Sequence, residues 1–201
     1  MLYAVTTSSG RRFLVLKDPS SVRFLKEGTG LDREALEALG GPFARTAGLA
    51  LAYLMVAGRD RTEREIARAL AREGITTPEV VGEIVGTLRR QGYLDDRRLA
   101  SHFVRYAAKH KPSGPHAIRR KLREAGVDGE IIEEEIRDAF SPGREREIAE
   151  ELARRKIRGI ADREKAARRV HGFLSRRGFS ERVVSAICSG ILRGTISGEH
   201  E

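Results

Sequence analysis

The residues best suited to chemistry in this sequence are cations in the middle of the chain. Two lysines flank the turn at residues 112–115 and four more cations follow it: Lys109, Lys111, Arg119, Arg120, Lys121 and Arg123. Counted from Ile118 at about 100° per residue, Arg120 and Arg123 fall on the side of a helix opposite its apolar stripe. We therefore expect these two side chains to be free to bind an anionic group.

Further cations lie earlier in the chain. Arg64 and Arg68 occur 52 residues before His116 and Arg120, so the basic stripe recurs. The others stand on either side of a corner at residues 92–95 and on the helix after it: Arg89, Arg90, Arg97, Arg98 and Arg105. We expect this set to extend the positive surface.

The chain as a whole is basic. Its 201 residues include 38 Lys and Arg against 29 Asp and Glu, a formal net charge of +9. This excess predicts a polyanionic partner, because Lys and Arg release counterions from phosphate backbones. The alternative is a solvated basic surface without a partner, since acidic residues are numerous enough to pair with most cations.

Residues for catalysis or metal binding form no recognisable motif. The five histidines include no HExxH, and the single cysteine, Cys188, excludes both a Cys-rich zinc site and an internal disulfide. Glycine loops that bind phosphate are missing. We expect the run Glu133-Glu134-Glu135 to be a solvated face, because consecutive helix residues point in different directions. The sequence predicts a protein that is not an enzyme and needs no metal or cofactor.

Aromatic side chains make up only 5% of the sequence. Tyr93, Phe103 and Tyr106 occur at helix-core spacing, the last two on one stripe with Leu99. We therefore expect them to pack in the core rather than to stack on nucleic-acid bases.

Several features bear on location. Cys188 lies among Val184, Ile187 and Ile191, so core packing is its expected role, and one cysteine fits a reducing compartment. The apolar stretch 47–57 is shorter than the roughly 20 residues that cross a bilayer, and residues 1–10 lack the pattern of a signal peptide. We expect a cytoplasmic protein that contacts no membrane and acts as a monomer.

The N-terminal segment, residues 1–43, predicts a small β-hairpin and a short helix. Residues 2–7 and 12–17 are rich in β-forming side chains, with turn-forming residues 8–10 between them. Leu31 and Leu36 on either side of Asp32 form a hydrophobic staple at a helix start, and Gly40-Gly41-Pro42 ends that helix.

A repeat of 52 residues organises the remainder. Two apolar residues four apart, then a glycine and another apolar residue, occur as Ile66, Leu70, Gly74 and Ile75; as Ile118, Leu122, Gly126 and Val127; and as Val170, Leu174, Gly178 and Phe179. This pattern is typical of an amphipathic helix that ends in a left-handed glycine cap.

Two more helices accompany each of these. One precedes it, over about 44–57, 96–110 and 143–158, and one follows it, beginning at Thr77-Pro78, Asp128 or Ser180. The sequence thus predicts a mainly all-α fold of three tandem three-helix repeats, 44–95, 96–142 and 143–193, before a C-terminal tail at 194–201. Stacked repeats form an elongated, curved array; the alternative is three small bundles kept for stability alone.

The residues of the first two repeats resemble a known family. The run Arg61-Thr62-Glu63-Arg64-Glu65-Ile66, then Gly92-Tyr93-Leu94-Asp95-Asp96 and Phe103, looks like the signature of the RecX family. Thr62 and Glu65 form a capping box, Gly92 can end a helix and Asp95 can cap the next one. The segment from Gly114 to Ile132 is similar to the family's central repeat, and the resemblance covers about residues 44–192.

The resemblance implies a function. A RecX protein would bind the groove of RecA filaments on single-stranded DNA and inhibit ATP hydrolysis, strand exchange and co-protease activity in bacterial recombination, DNA repair and the SOS response. The alternative is a stand-alone helical DNA-binding protein that acts without RecA.

Overall fold

The computed structural model describes residues 2–6, 10, 12–16, 30 and 42–198. Within them the predicted hairpin is confirmed: β1 (Leu2–Thr6) pairs antiparallel with β2 (Arg12–Leu16), and Leu2 stands opposite Leu16. Gly10 has a φ of +80°, as a turn glycine permits. The predicted helix after Asp32 lies outside the described residues.

The described part of the chain contains nine helices. They are α1 (Pro42–Gly58), α2 (Glu63–Arg72), α3 (Pro78–Arg90), α4 (Asp96–Lys109), α5 (Pro115–Ala125), α6 (Gly129–Ala139), α7 (Arg144–Ile157), α8 (Arg163–Arg176) and α9 (Glu181–Arg193). Their bounds agree with the predicted helices to within a few residues. Thr77, Asp128 and Ser180 are the N-cap residues of α3, α6 and α9, as predicted.

The structure confirms the repeat. All nine apolar positions of the 52-residue pattern are at least 95% buried, because they form the inward stripes of α2, α5 and α8 and the residues just after those helices. The three glycines of the pattern, Gly74, Gly126 and Gly178, have φ values of +84°, +93° and +75°. A side chain would be strained in that conformation, which explains why glycine recurs there.

The chain divides into two compact units, Met1–Asp96 and Arg97–Glu201. In the first unit β2 packs against α1, and Leu14 joins a core that contains Ile66, Leu70 and Leu88. In the second unit one core lies among α4, α5 and α6 and another among α7, α8 and α9. The predicted domain boundaries and the elongated, curved arrangement of the repeats stay predictions.

The segment after α9 contributes to the second unit. Ile196 is 5% exposed, and a Cβ added to Gly190 would lie 2.7 Å from its Cδ1 atom. Glycine in the last turn of α9 therefore lets Ile196 fold back onto the helix. Nothing in the sequence pattern had pointed to this contact.

Candidate nucleic-acid interface

The predicted binding cations are distributed over both units. Twelve of the thirteen are exposed and Arg119 is partly buried; the first unit holds Arg64, Arg68, Arg89 and Arg90, and the second holds Arg97, Arg98, Arg105, Lys109, Lys111, Arg119, Arg120, Lys121 and Arg123. Exposure alone does not make a cation available, because a neighbouring carboxylate can already neutralise it. The local partners therefore decide which of them can bind an anion.

The N-terminus of α2 is a polar junction around Glu63. Arg89 donates from Nε and Nη2 to the two carboxylate oxygens of Glu63 at 2.6 and 2.5 Å. The Glu63 N–H donates to Asp96 Oδ1 at 3.2 Å, and the predicted capping box between Thr62 and Glu65 is present. Arg89 is thus held within the first unit by two hydrogen bonds.

Asp96 lies in an unfavourable place for a charge. Its burial raises the pKa of its carboxyl above the ordinary range, against the lowering effect of the hydrogen bond from the Glu63 N–H. The side chain nevertheless supplies an acceptor for one of the backbone N–H groups that a helix start leaves unpaired. Asp96 therefore acts as a structural cap of α2, at the residue where α4 begins.

A two-point ion pair joins α5 to α6 in the second unit. Arg119 donates from Nε and Nη2 to the two oxygens of Glu133 at 2.6 and 2.7 Å. These hydrogen bonds lower the pKa of Glu133 and raise that of Arg119. Arg123 Nη2 lies 3.8 Å from the same carboxylate. The Arg123 side chain faces outward and is 62% exposed, as predicted, with this loose contact to an acidic neighbour; its role in binding stays a prediction.

The sequence predicts a solvated face for the acidic run on α6, whereas in the structure the carboxylates of this run contact cations. Besides Glu133 on Arg119, Glu134 accepts from Arg97 at 2.7 Å, and Glu135 lies 3.9 Å from Arg97. The side chain of Glu135 is only 13% exposed. Consecutive helix residues do point in different directions, but here those directions lead to cations of two neighbouring helices.

Other cations have no acidic neighbour. Among the described residues, no carboxylate oxygen lies within 4 Å of six of the predicted set: Arg64, Arg90, Arg105, Lys109, Lys111 and Lys121. Arg120 has only a loose contact, 3.9 Å from Glu124, with both side chains more than 60% exposed. Four of the six lie on the second half of α4, in the loop after it and on α5. Within the predicted set, most of the cations without an acidic neighbour therefore lie there.

Two of the three aromatic residues do not lie where the spacing predicted. Tyr93 is 50% exposed and Tyr106 is 49% exposed, whereas Phe103 is partly buried and packs against the core of α4, α5 and α6, as predicted. The buried stripe of α4 is Ala100, Val104 and Ala107, one residue along from the predicted stripe. Both stripes have helical spacing, so periodicity could not separate them, and the smaller side chains take the inner face.

Tyr106 and Phe103 on α4 each contact a neighbouring polar side chain. Tyr106 stacks on His110, with ring centroids 5.2 Å apart and planes 29° from parallel. Lys121 Nζ lies 5.9 Å from the ring centroid of Phe103. A cleft of about 50 Å³ between α4 and α5 is lined by Phe103, Tyr106, Lys111 and Lys121 among others. Aromatic rings and uncompensated lysines therefore meet at one place, which the sequence pattern did not reveal.

Backbone contacts fix the start of α5. The Gly114 N–H donates to the Arg177 carbonyl at 2.8 Å and the His116 N–H donates to the Gly178 carbonyl at 3.0 Å. Arg177 Nη1 donates to the Pro112 carbonyl at 2.7 Å. The free carbonyls at the end of α8 thus satisfy the free N–H groups at the start of α5. This contact positions the loop that carries Lys111.

The described residues show no group of three His, Cys, Asp or Glu side chains that could hold a metal ion. Cys188 packs at the edge of the second unit's core, where burial raises the pKa of its thiol. In the segments with a described backbone, no helix combines the length and the apolar character needed to cross a membrane.

Comparisons with known proteins add to this picture. The family model described as "RecX, second three-helix domain" matches residues 95–135, the segment that carries α4, α5 and most of α6. The chain is 33% identical over 140 residues to a protein named Regulatory protein RecX from Mycolicibacterium vanbaalenii, covering 66% of this chain and 75% of the relative. It is 37% identical over 139 residues to one of the same name from Halorhodospira halophila, covering 67% and 82%.

Solved structures resemble the fold. A crystal structure of regulatory protein RecX aligns with a TM-score of 0.64 at 26% identity, over 92% of this chain and 98% of that one. RecX from Lactobacillus salivarius aligns with the same TM-score of 0.64 at 20% identity, over 75% of this chain and 97% of that chain. This chain therefore shares its fold with those proteins.

Proposed function

The chain belongs to the RecX family of regulatory proteins, and from this premise we propose that it is a negative regulator of homologous recombination that binds RecA filaments on single-stranded DNA. It lies along the filament groove and inhibits ATP hydrolysis, strand exchange and co-protease activity. The reactions belong to RecA, and the regulator contributes only binding. It acts as a monomer in the bacterial cytoplasm, without a cofactor.

The observation that carries the proposal is that four of the six predicted cations without an acidic neighbour lie on α4, on α5 and in the loop between them. A filament on DNA offers phosphates and surface carboxylates as partners, and charges without an internal acidic neighbour are the ones available to them. The helices concerned lie in the segment that matches the family model. Binding through such charges weakens as salt is added, because screening shortens the range of the attraction.

A charge-reversal experiment tests this surface. Lys109, Lys111 and Lys121 are changed together to Glu, and RecA-driven ATP hydrolysis on single-stranded DNA is measured as the regulator is titrated. We expect the concentration needed for half-inhibition to rise roughly ten-fold or more. The matched control changes Arg146, Arg169 and Arg182 to Glu; these residues are exposed on α7, α8 and α9 of the same unit and give the same change in net charge.

The comparison of the two triple variants decides the outcome. If only the α4–α5 variant loses inhibition while its circular dichroism spectrum and melting temperature are kept, this surface binds the filament. Equal losses in both variants would show that net charge alone matters, and full inhibition by both would reject the surface.

The second candidate is a helical DNA-binding protein that acts without RecA. It is favoured by the same observation, because exposed lysines would also bind phosphates of naked DNA. A gel-shift titration with naked duplex DNA separates the two: tight, sequence-selective binding without RecA supports this candidate.

A further inference from the structure

We propose that the end of α4 and the start of α5 form a stacking site for bases of single-stranded DNA. Tyr106 and His110 are the stacking platform, and Lys109, Lys111 and Lys121 hold the neighbouring phosphates. This inference rests on the proposed function, because the single-stranded DNA concerned is the strand inside the RecA filament. It adds a direct contact with the bases of that strand, which can be measured without RecA.

The first argument is the exposure of the platform. Tyr106 is one of four large apolar or aromatic residues among the described ones that are strongly exposed, with 49% of its surface accessible. Its ring already stacks on His110, which is exposed as well. Stacking with a planar ring is thus a contact that this part of the surface supports, and every base offers a planar face.

The second argument is charge. Lys111 and Lys121 line the same cleft as Tyr106, and Arg105 and Lys109 are its close neighbours in sequence on α4. No carboxylate of the described residues neutralises them, unlike Arg89, Arg97 and Arg119, which are held by Glu63, Glu134 and Glu133. Exposed aromatic rings beside free cations are the combination that single-strand-binding grooves use.

The third argument is shape. The cleft between α4 and α5 holds about 50 Å³, room for a few water molecules at roughly 10–15 Å³ of accessible volume each. We therefore expect a base to lie on the exposed rings and not inside the cleft. Lys111 and Lys121 line the cleft, so a phosphate oxygen or a bridging water can be held at its mouth.

The first unit offers a matched control. Tyr93 is 50% exposed, almost the same as Tyr106. However, Tyr93 contacts Tyr53 edge-on, with centroids 5.7 Å apart and planes at 82°, and the Tyr53 hydroxyl donates to Gln91 Oε1 at 2.6 Å. The nearby Arg89 is occupied by Glu63. Tyr93 thus has a similar exposure, but its ring already contacts Tyr53, and Arg89 beside it is paired with Glu63.

The test compares two strands of equal length and charge. The full chain, without RecA, is titrated at low salt against a fluorescently labelled oligothymidine strand and against the same strand built from abasic nucleotides, and binding is followed by anisotropy. We expect the wild-type protein to prefer the strand with bases. Tyr106→Ala should lose about five-fold or more in affinity for oligothymidine and nothing for the abasic strand.

Additional variants separate stacking from folding. Tyr106→Trp should keep the preference, Tyr106→Leu should lose it while keeping apolar bulk, and Tyr93→Ala should behave as wild type. Equal affinity of the wild-type protein for both strands, absence of binding to either, or equal losses in the Tyr93 and Tyr106 variants would overturn the site. ATPase inhibition of RecA is measured with the same variants. Inhibition without base preference rejects the stacking site alone, and base preference without inhibition rejects the regulatory function alone.

Discussion

Arg119 and Glu133 each stand seven residues from Gly126, one before it and one after it, and their side chains form a two-point ion pair at 2.6 and 2.7 Å. The glycine reverses the chain between α5 and α6, so residues equally distant from it can meet. This relationship assigns Glu133 an internal role: it neutralises part of the positive charge that α5 would otherwise present.

Glu133→Gln should therefore increase binding to anionic partners. The substitution removes the charge that holds Arg119 and lies near Arg123, so both guanidinium groups become available. We expect affinity for RecA filaments or for single-stranded DNA to rise a few-fold, with a steeper dependence on salt. A titration at several salt concentrations measures both effects. Glu151→Gln, which removes the partner of Arg155 on α7, is the control and should change neither.

The same pair predicts a pH dependence of stability. Because the pKa of Glu133 is lowered in the folded state, its contribution is present at neutral pH and is lost as the pH falls below about 4.5, the ordinary value, and through the folded pKa. The contribution is small, about 1 kcal/mol or less, since the carboxylate is 42% exposed. Urea titrations should show wild type more stable than Glu133→Gln at pH 7 and equal to it at strongly acidic pH. A constant difference would contradict this assignment.

The contribution of Asp96 to stability should change with pH in the opposite direction. Burial raises the pKa of its carboxyl, so its ionised form is disfavoured in the folded state, and its contribution to stability falls as the pH rises from 3.8 through the folded pKa. Asp96→Asn keeps an acceptor for the Glu63 N–H without the charge. We expect it to match or exceed wild-type stability at pH 7 and to lose that advantage in acid.

Asp96→Ala provides the contrast for this cap. It leaves the Glu63 N–H without its acceptor, and we expect a loss of about 1 kcal/mol. If the alanine and asparagine variants unfold at the same urea concentration at pH 7, the hydrogen bond from Glu63 contributes nothing.

Gly114→Ala should disrupt the junction between α5 and α8. A Cβ at this position would lie 2.2 Å from the Gly178 carbonyl oxygen, so the two helix ends would have to separate. We expect a loss of at least about 1–3 kcal/mol in the free energy of unfolding. Gly82→Ala is the control: nothing lies within 4 Å of its added Cβ, and in the interior of α3 it should stabilise by roughly 0.5–1 kcal/mol. Urea denaturation followed by circular dichroism compares the two.

The sequence by itself determined the elements and their repetition. Helix periodicity, glycine caps and N-cap residues act within one or two turns of chain, so the pattern that ends at Gly74, Gly126 and Gly178 could be recognised without coordinates. The hairpin at the N-terminus is equally local. These features also carry the family resemblance that the relatives confirm.

Only the tertiary structure decided which charges and rings remain available. Arg89 pairs with Glu63, and Arg97 pairs with Glu134. The partners in each pair are far apart in the sequence, so no local pattern could predict them. On α4, two stripes with the same spacing compete for the inner face, and close packing admits Ala100, Val104 and Ala107 while leaving Tyr106 outside. Periodicity locates the buried face of a helix only to within one residue. Whether a ring is buried or a charge is paired depends on which side chains of the neighbouring helix lie opposite it.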